Sequence, residues 1–142
     1  MLDAPRRAAK ACVVRCSGLY GPGRTGAIER VRSGALAFGH GDETWMNFSH
    51  RDDAAATVVA ALDRGRPGAT YHASDAVPAT RHDVVLWIAS RLAIDPPRRD
   101  GASPDAARRG AHRRVSAEAT RRELGVRLAY PSFREGFAPL FS

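Results

Sequence analysis

A short apolar run that leads into a glycine- and proline-rich turn is the feature that most constrains this chain. Residues 11–17 read ACVVRCS, and residues 18–25 contain three glycines and one proline. Short apolar segments that end at a glycine are typical of buried strands. Proline fixes the backbone and glycine adopts turn conformations, so residues 18–25 are predicted to form a loop. One buried strand followed by a loop is therefore the starting point of the fold.

Downstream, helical and extended patterns alternate. Helical spacing and capping signals predict helices over residues 26–33, 54–64, 81–94, 116–124 and 132–141. Extended segments are predicted over 45–49 and 69–73, and a weak strand with a turn over 35–44. This alternation favours an α/β fold with parallel strands. Residues 96–112, which are rich in proline and arginine, are predicted to form a surface loop. The 142 residues are expected to form a single, partial domain.

Side-chain patterns give more specific expectations. Asp52 or Asp53 is predicted to cap the helix that follows, whose predicted buried face consists of Ala54, Ala55, Val58, Val59 and Leu62. Thr80 and Asp83 form a pattern typical of a capping box. Cys12 and Cys16 lie on one face of the predicted strand, too far apart for a disulfide, and are expected to be reduced core thiols.

The charge of the chain leaves a second class of function open. The net charge is +7, from 22 basic and 15 acidic residues, and Lys10 is the only lysine. The arginines are scattered in short pairs without interleaved aromatic residues, which is not typical of nucleic-acid binding. An arginine-rich binding module for an anionic ligand or RNA nevertheless stays an alternative.

Other classes of protein are disfavoured by the sequence. No apolar run approaches the roughly 20 residues that span a bilayer, and the first residues lack the apolar core of a secretory signal. We therefore expect a cytoplasmic protein with no membrane association. The histidines at positions 40, 50, 72 and 82 are too dispersed for a metal motif, so no metal site is predicted.

Residues 21–26 (GPGRTG) match the G-x-G-x-x-G pattern of dinucleotide-binding loops, with Asp42 and Glu43 about twenty residues further on. Three observations argue against that function. The predicted strand ends near Ser17, Pro22 lacks an N–H for a phosphate, and no clear strand delivers the acidic residues. A nucleotide site in this loop is kept as a weaker alternative.

Four strings occur in an order that points to a known family. They are VRCSGLYGPGR at 14–24, NFSHRDDAA at 47–55, ATYHASD at 69–75, and a segment from RVS at 114–116 to ELG at 123–125. The chain resembles the C-terminal half of an extended short-chain dehydrogenase/reductase, the NAD-dependent epimerase/dehydratase family. The resemblance implies the C-terminal strands of a Rossmann-like sheet together with a small substrate-binding region.

The resemblance also implies roles for individual residues. Ser17, Gly18 and Leu19 would lie beside the NAD or NADP cofactor, although many relatives have asparagine where Gly18 stands. The residues implied on the substrate side are Tyr20, Arg24, His50 and Arg114. Structural roles remain open for each: the glycines could only turn the chain, His50 could be a satisfied structural histidine, and the arginines could be solvated.

The catalytic and phosphate-binding motifs of the family do not occur in these 142 residues. Relatives carry a glycine-rich phosphate loop and a Tyr-x-x-x-Lys pair, but all three tyrosines here follow Lys10. We therefore predict no catalytic residue, no cofactor bound by this chain alone, and no activity by itself. The implied substrate is a small molecule of the nucleotide-sugar type. A complementary N-terminal half, or self-association, is expected to cover the apolar surface left open.

Overall fold

The computed structural model describes residues 11–40, 42–100 and 113–141. The strands in these residues are β1 (Val13–Cys16), β2 (Gly18–Tyr20), β3 (Trp45–Met46), β4 (Phe48–His50), β5 (Thr70–Ala73) and β6 (Ala79–Thr80). The helices are α1 (Gly26–Arg32), α2 (Arg51–Arg64), α3 (Arg81–Leu92), α4 (Glu118–Leu124) and α5 (Phe133–Phe137), with a 3₁₀ turn at Ala138–Phe141. Residues 1–10 are polar and rich in alanine, which predicts the remnant of a helix, but they lie outside the described residues. Most of the predicted loop at 96–112 also lies outside them.

The strands form three small sheets. β1 pairs with β5 and β2 pairs with β4, both in parallel, whereas β3 and β6 are antiparallel. Helix α2 connects β4 of one parallel pair to β5 of the other, as expected for parallel strands joined by a crossover helix. The predicted mixed α/β fold with parallel pairing is confirmed.

An aromatic core joins the C-terminal helix to the β2–β4 pair. Tyr20, Phe48, Phe133 and Phe137 are buried against one another, with the Tyr20 and Phe137 rings 4.4 Å apart. Their neighbours are the buried residues of α1 and α3, which are Ile28, Val31, Val84, Val85 and Ile88. Helical spacing in the sequence predicts that these five positions and Leu92 face inward, and Leu92 is half-buried. A smaller core contains Ala60, Ala61, Tyr71 and Leu124.

The orientation of α2 differs from the prediction. Its buried residues are Asp53, Ala54, Thr57, Ala60 and Ala61. The predicted inner positions Ala55, Val58, Val59 and Leu62 are exposed, and Leu62 keeps 81% of its surface. The cause is long-range, because the Asp53 carboxylate accepts the backbone N–H groups of Ala129 and Tyr130 and so faces inward.

The capping predictions hold for α3 and fail for two other helices. Thr80 and Asp83 form the predicted capping box. The N-cap of α2 is His50, whose side chain accepts the N–H of Asp52, so neither Asp52 nor Asp53 is the cap. The sequence also predicts Ser116 as the cap of the helix that ends before Gly125, but the N-cap of α4 is Ala117. The Ser116 hydroxyl still accepts the N–H of Glu118 at 3.4 Å.

Three further expectations are wrong. The predicted loop 18–25 contains a strand, β2, which is fixed by pairing with β4. The described part of segment 35–44 forms only an isolated bridge, between Phe38 and Arg98. Cys16 is exposed and is not a core thiol, whereas Cys12 is half-buried. Among the described residues, no helix is long and apolar enough to cross a membrane.

Candidate functional site

A cavity of about 940 Å³ opens beside β2, α1 and the β3–β4 segment. Its volume lies within the range of small-molecule sites. Four residues predicted to bind cofactor or substrate line it together, namely Gly18, Leu19, Tyr20 and Arg24. The apolar side chains of its wall include Leu19, Leu36, Trp45, Met46 and Phe48.

The glycine-rich turn shapes one side of this cavity. Gly21 has a φ of +141°, and a Cβ there would lie 3.1 Å from His50 and Arg51. The N–H of Arg24 donates to the Gly21 carbonyl at 2.8 Å, and the Arg51 guanidinium donates to the Pro22 carbonyl. Gly21 is therefore needed for close packing of the turn against the start of α2.

The expectation that no strand ends directly before the loop at 21–26 is also wrong. Because β2 ends at Tyr20, Gly21 directly follows a strand, and α1 begins at Gly26. Two other facts still disfavour phosphate binding by this loop. Pro22 has no N–H, and the N–H of Arg24 is used within the turn.

Cationic side chains surround the cavity. Arg24 and Arg30 line it and are exposed, whereas the neighbouring Glu29 pairs with Arg32 at 2.8 Å. Arg81, from the start of α3, also lines the cavity, but its side chain is buried. The site thus combines an apolar wall with positive charge, an arrangement suited to a ligand that has an apolar part and an anionic part.

Tyr20 is a buried member of the site. Its hydroxyl lies 3.4 Å from an Asp75 carboxylate oxygen and 3.3 Å from the Ser132 carbonyl, so it can donate to either acceptor. Burial, and then the nearby negative charge of Asp75, raise the pKa of the Tyr20 hydroxyl well above its usual value. Tyr20 therefore stays neutral at physiological pH and acts as a packed hydrogen-bond donor.

The structure places the other predicted site residues outside this cavity. The Ser17 N–H donates to the Ala73 carbonyl at 2.9 Å. His50 is buried, and its ring stacks on Tyr130 with centroids 3.8 Å apart. Arg114 stands over the ring of Trp45 at 5.6 Å and lines a separate cavity of about 190 Å³ with Asp75. Their binding roles stay predictions.

The sequence does not predict one contact of this cavity, that of Arg81 in its lining with Asp42 beside it. The sequence pattern suggests only a ribose-binding role for Asp42, and it places Arg81 only at the start of a helix. In the structure the Arg81 Nε lies 3.4 Å from an Asp42 carboxylate oxygen. A basic residue directly after the N-cap of a helix was the available signal, but nothing in the local sequence links it to Asp42. No group of three or more potential metal ligands occurs among the residues with described positions.

Comparison with known proteins supports the fold. No family model and no curated protein matches the sequence. Among solved structures, a conserved protein of unknown function from Silicibacter pomeroyi is 28% identical, with a TM-score of 0.71, and the alignment covers 92% of this chain and 47% of that one. An NAD-dependent epimerase/dehydratase from Methylobacillus flagellatus, so described, is 25% identical over 91% of this chain and 45% of its own, with a TM-score of 0.62.

An enzyme of known activity has a similar fold. The dTDP-glucose 4,6-dehydratase from Streptomyces venezuelae, crystallised with NAD, is 22% identical, with a TM-score of 0.71 over 93% of this chain and 42% of its own. The fold is thus that of NAD-dependent epimerase/dehydratase family members, and the resemblance predicted from sequence is confirmed at this level. The chain spans a little under half the length of these structures, between 42% and 47%.

Proposed function

We propose that this chain is the substrate-binding part of an NAD-dependent epimerase, dehydratase or reductase, and that it is inactive alone. The observation that carries this proposal is the cavity of about 940 Å³ on an epimerase/dehydratase fold, lined by Gly18, Leu19, Tyr20 and Arg24. An apolar wall and a cationic rim suit a nucleotide-sugar-like substrate, whose base and sugar need contact surface and whose phosphates need positive charge.

The proposed inactivity rests on the residue inventory of these 142 positions. A tyrosine that transfers a proton in this family is assisted by a lysine four residues further on, and no tyrosine here has one. Proton transfer near neutral pH requires a tyrosine whose pKa is lowered toward that pH. Tyr20, the tyrosine at the cavity, is hydrogen-bonded in the core, and its pKa is raised. The catalytic pair and most of the NAD site would come from another segment.

The exposure of β1 supports the proposal of a covering partner. Parallel sheets normally have both faces covered. Here Val13, Arg15 and Cys16 of β1 are exposed, and β5 is the strand paired with it among the described residues. The net charge of +7 disfavours contact between two copies. We propose a complementary N-terminal half as the partner, with self-association as the alternative.

Calorimetric titration of the chain with UDP-glucose, dTDP-glucose, NADH and RNA tests this proposal. We expect at least one sugar nucleotide to bind and NADH to give no detectable heat. Micromolar NADH binding that is lost in Gly23→Val would instead indicate the nucleotide loop at 21–26. RNA binding that weakens steeply with salt, without sugar-nucleotide binding, would indicate the arginine-rich module.

A further inference from the structure

The Tyr20 hydroxyl lies between two hydrogen-bond acceptors that belong to distant parts of the chain. Its oxygen is 3.4 Å from Asp75 Oδ2 and 3.3 Å from the Ser132 carbonyl oxygen. Asp75 lies just after β5, whereas Ser132 is the N-cap of α5. A phenol has a single O–H group, so Tyr20 donates to one of these two oxygens at a time.

Close packing leaves the Tyr20 side chain little freedom to move. The residue is buried, and its ring lies 4.4 Å from the ring of Phe137 and 5.7 Å from that of Phe48. Helix α5 packs directly on the hydroxyl, because a Cβ at Gly136 would collide with it. The direction of the O–H bond can therefore change while the ring stays in place.

The proton on Asp75 decides which direction is favoured. A protonated Asp75 carboxyl can donate to the Tyr20 oxygen, and Tyr20 then donates to the Ser132 carbonyl. A charged carboxylate only accepts, and hydrogen bonds to charged acceptors are stronger than those to neutral ones, so the Tyr20 O–H turns toward Asp75. The Ser132 carbonyl then loses this donor and keeps the N–H of Gly136, 3.2 Å away.

The elements packed around Asp75 carry groups of both signs. These groups are Tyr20 on β2, His50 on β4, Asp53 on α2, Arg121 on α4, Glu135 on α5, and Arg114. The two other carboxylates oppose a charge on Asp75, whereas the arginines and the donors from Tyr20 and the His50 backbone favour it. Burial has the largest effect, and it raises the pKa of the Asp75 carboxyl to about 7. Asp75 therefore gains or loses its proton near neutral pH.

The C-terminal segment, residues 129–141, is attached to the rest of the chain beside Tyr20. The Pro131 carbonyl accepts the N–H groups of Ala76 and Val77 at 2.8 and 3.2 Å. The Ser132 carbonyl is the next point of attachment, and α5 begins directly after it. A change in the hydrogen bonding of this carbonyl therefore acts on the start of α5.

We propose that Asp75, Tyr20 and the Ser132 carbonyl form a hydrogen-bond switch that couples the proton on Asp75 to the attachment of the C-terminal segment. In acidic solution the hydrogen bonds run from Asp75 through Tyr20 to Ser132, and the segment is held at this point. In alkaline solution Tyr20 donates to Asp75, and the attachment at Ser132 is released. The switch needs no ligand and is independent of the proposed function.

Nuclear magnetic resonance of the full chain, labelled with ¹³C and ¹⁵N, tests this switch. The carboxyl carbon of Asp75 reports its protonation, and the carbonyl carbon of Ser132 reports its hydrogen bonding. We expect both resonances to titrate with one midpoint near pH 7. The Ser132 resonance should move to lower chemical shift as the pH rises, because the loss of a hydrogen bond returns electron density to the carbonyl. A Ser132 resonance that does not move while Asp75 titrates would overturn the switch.

Two variants separate the switch from a simple effect of charge. Tyr20→Phe removes the hydroxyl and keeps the ring, so the Ser132 resonance should no longer titrate although Asp75 still does. Asp75→Asn should hold the Ser132 resonance near its acidic position, because asparagine imitates the protonated carboxyl. A Ser132 titration that persists in Tyr20→Phe would show that Asp75 acts on the segment without Tyr20, which also overturns the proposal.

The matched control is Asp63→Asn, which removes an exposed carboxylate at the end of α2. Both titrations should be unchanged in this variant. The spread of the amide resonances shows whether each variant is folded, and the wild-type titration tests the coupling by itself if one of them is not.

Discussion

Asp75 is one of three acidic residues near the Tyr20 hydroxyl, together with Asp53 and Glu135. Burial raises the pKa of the Asp75 carboxyl from an ordinary value of 3.8 to about 7, and the negative charges of Asp53 and Glu135 add to the shift. Hydrogen bonds from Tyr20 and from the His50 backbone act in the opposite direction. The folded protein thus holds a proton on Asp75 under conditions in which the unfolded chain has lost it.

Asp75→Asn should therefore stabilise the protein in alkaline solution. Between pH 4 and pH 7 the folded state binds more protons than the unfolded state, so the wild type loses stability as the pH rises through this range. Asparagine imitates the protonated carboxyl, and we expect a gain of about 1–3 kcal/mol at pH 8 that disappears near pH 4. Urea denaturation at both pH values measures the difference.

The control for this prediction is Asp63→Asn. Asp63 is exposed at the end of α2 and pairs with the adjacent Arg64, so its replacement should change stability by less than about 0.5 kcal/mol at either pH. A loss of stability in Asp75→Asn of equal size at pH 4 and pH 8 would show that Asp75 is needed only as a hydrogen-bond acceptor.

At the scale of the element, α2 presents apolar side chains on two faces. Its inner face consists of small residues such as Ala60 and Ala61, which allow close packing against the β1–β5 pair. Its outer face carries Val58, Val59 and Leu62, which are exposed. An apolar stripe on a helix normally contacts another element, so this outer face adds to the apolar surface of the chain.

Replacing Val59 and Leu62 together by glutamine should reduce association without loss of the fold. We expect the free energy of unfolding to change by less than about 0.5 kcal/mol for each residue, because both side chains are exposed. The fluorescence of a hydrophobic dye and the apparent mass in light scattering should both fall. In contrast, Ala61→Gln places a polar group in the core and should destabilise the chain by about 2 kcal/mol or more. Unchanged dye binding in the double variant would contradict this prediction.

At the scale of the whole molecule, β1 lies at the exposed side of its parallel pair. The two cysteines differ in exposure and can therefore be used to test this arrangement. Cys16 is exposed on β1, whereas Cys12 is half-buried and its thiol lies 3.8 Å from the Ala61 carbonyl. Each can be studied alone by replacing the other with alanine.

Cys16 should react with a thiol reagent at nearly the rate of an unfolded control, and Cys12 should react at least about tenfold more slowly, in line with its burial. The measurement uses Cys12→Ala and Cys16→Ala at low protein concentration, with and without denaturant. Protection of Cys16 that increases with protein concentration would identify self-association as what covers β1. Protection at every concentration would contradict an open strand.

The sequence predicts features whose causes are local. The Thr80–Asp83 capping box, the inward positions of α3 and the aromatic residues of the C-terminal helix depend on neighbours within a few residues. The orientation of α2 depends on Asp53 reaching Ala129 and Tyr130, and β2 exists only because β4 pairs with it. Such contacts between distant segments leave no periodic pattern in the sequence.

The same distinction applies to the candidate site. The resemblance implies binding roles for Gly18, Leu19, Tyr20 and Arg24, which are nearly contiguous and line one cavity, whereas Ser17, His50 and Arg114 do not line it. Arg81 and Asp42 come together only when α3 packs beside β3, so their pairing could not be predicted from spacing.

The parallel pairing of β1 with β5 also bears on how the chain folds. Val13 is aligned with Thr70, and a turn, two helices and the β2–β4 pair lie between them in sequence. Closing so long a segment costs entropy before any strand contact compensates for it, so this step is expected to be slow. During synthesis, β1 emerges before β5 and cannot pair with it until β5 has left the ribosome. The strand that we propose a partner covers is thus also an unpaired edge, and so a site of aggregation, in the nascent chain.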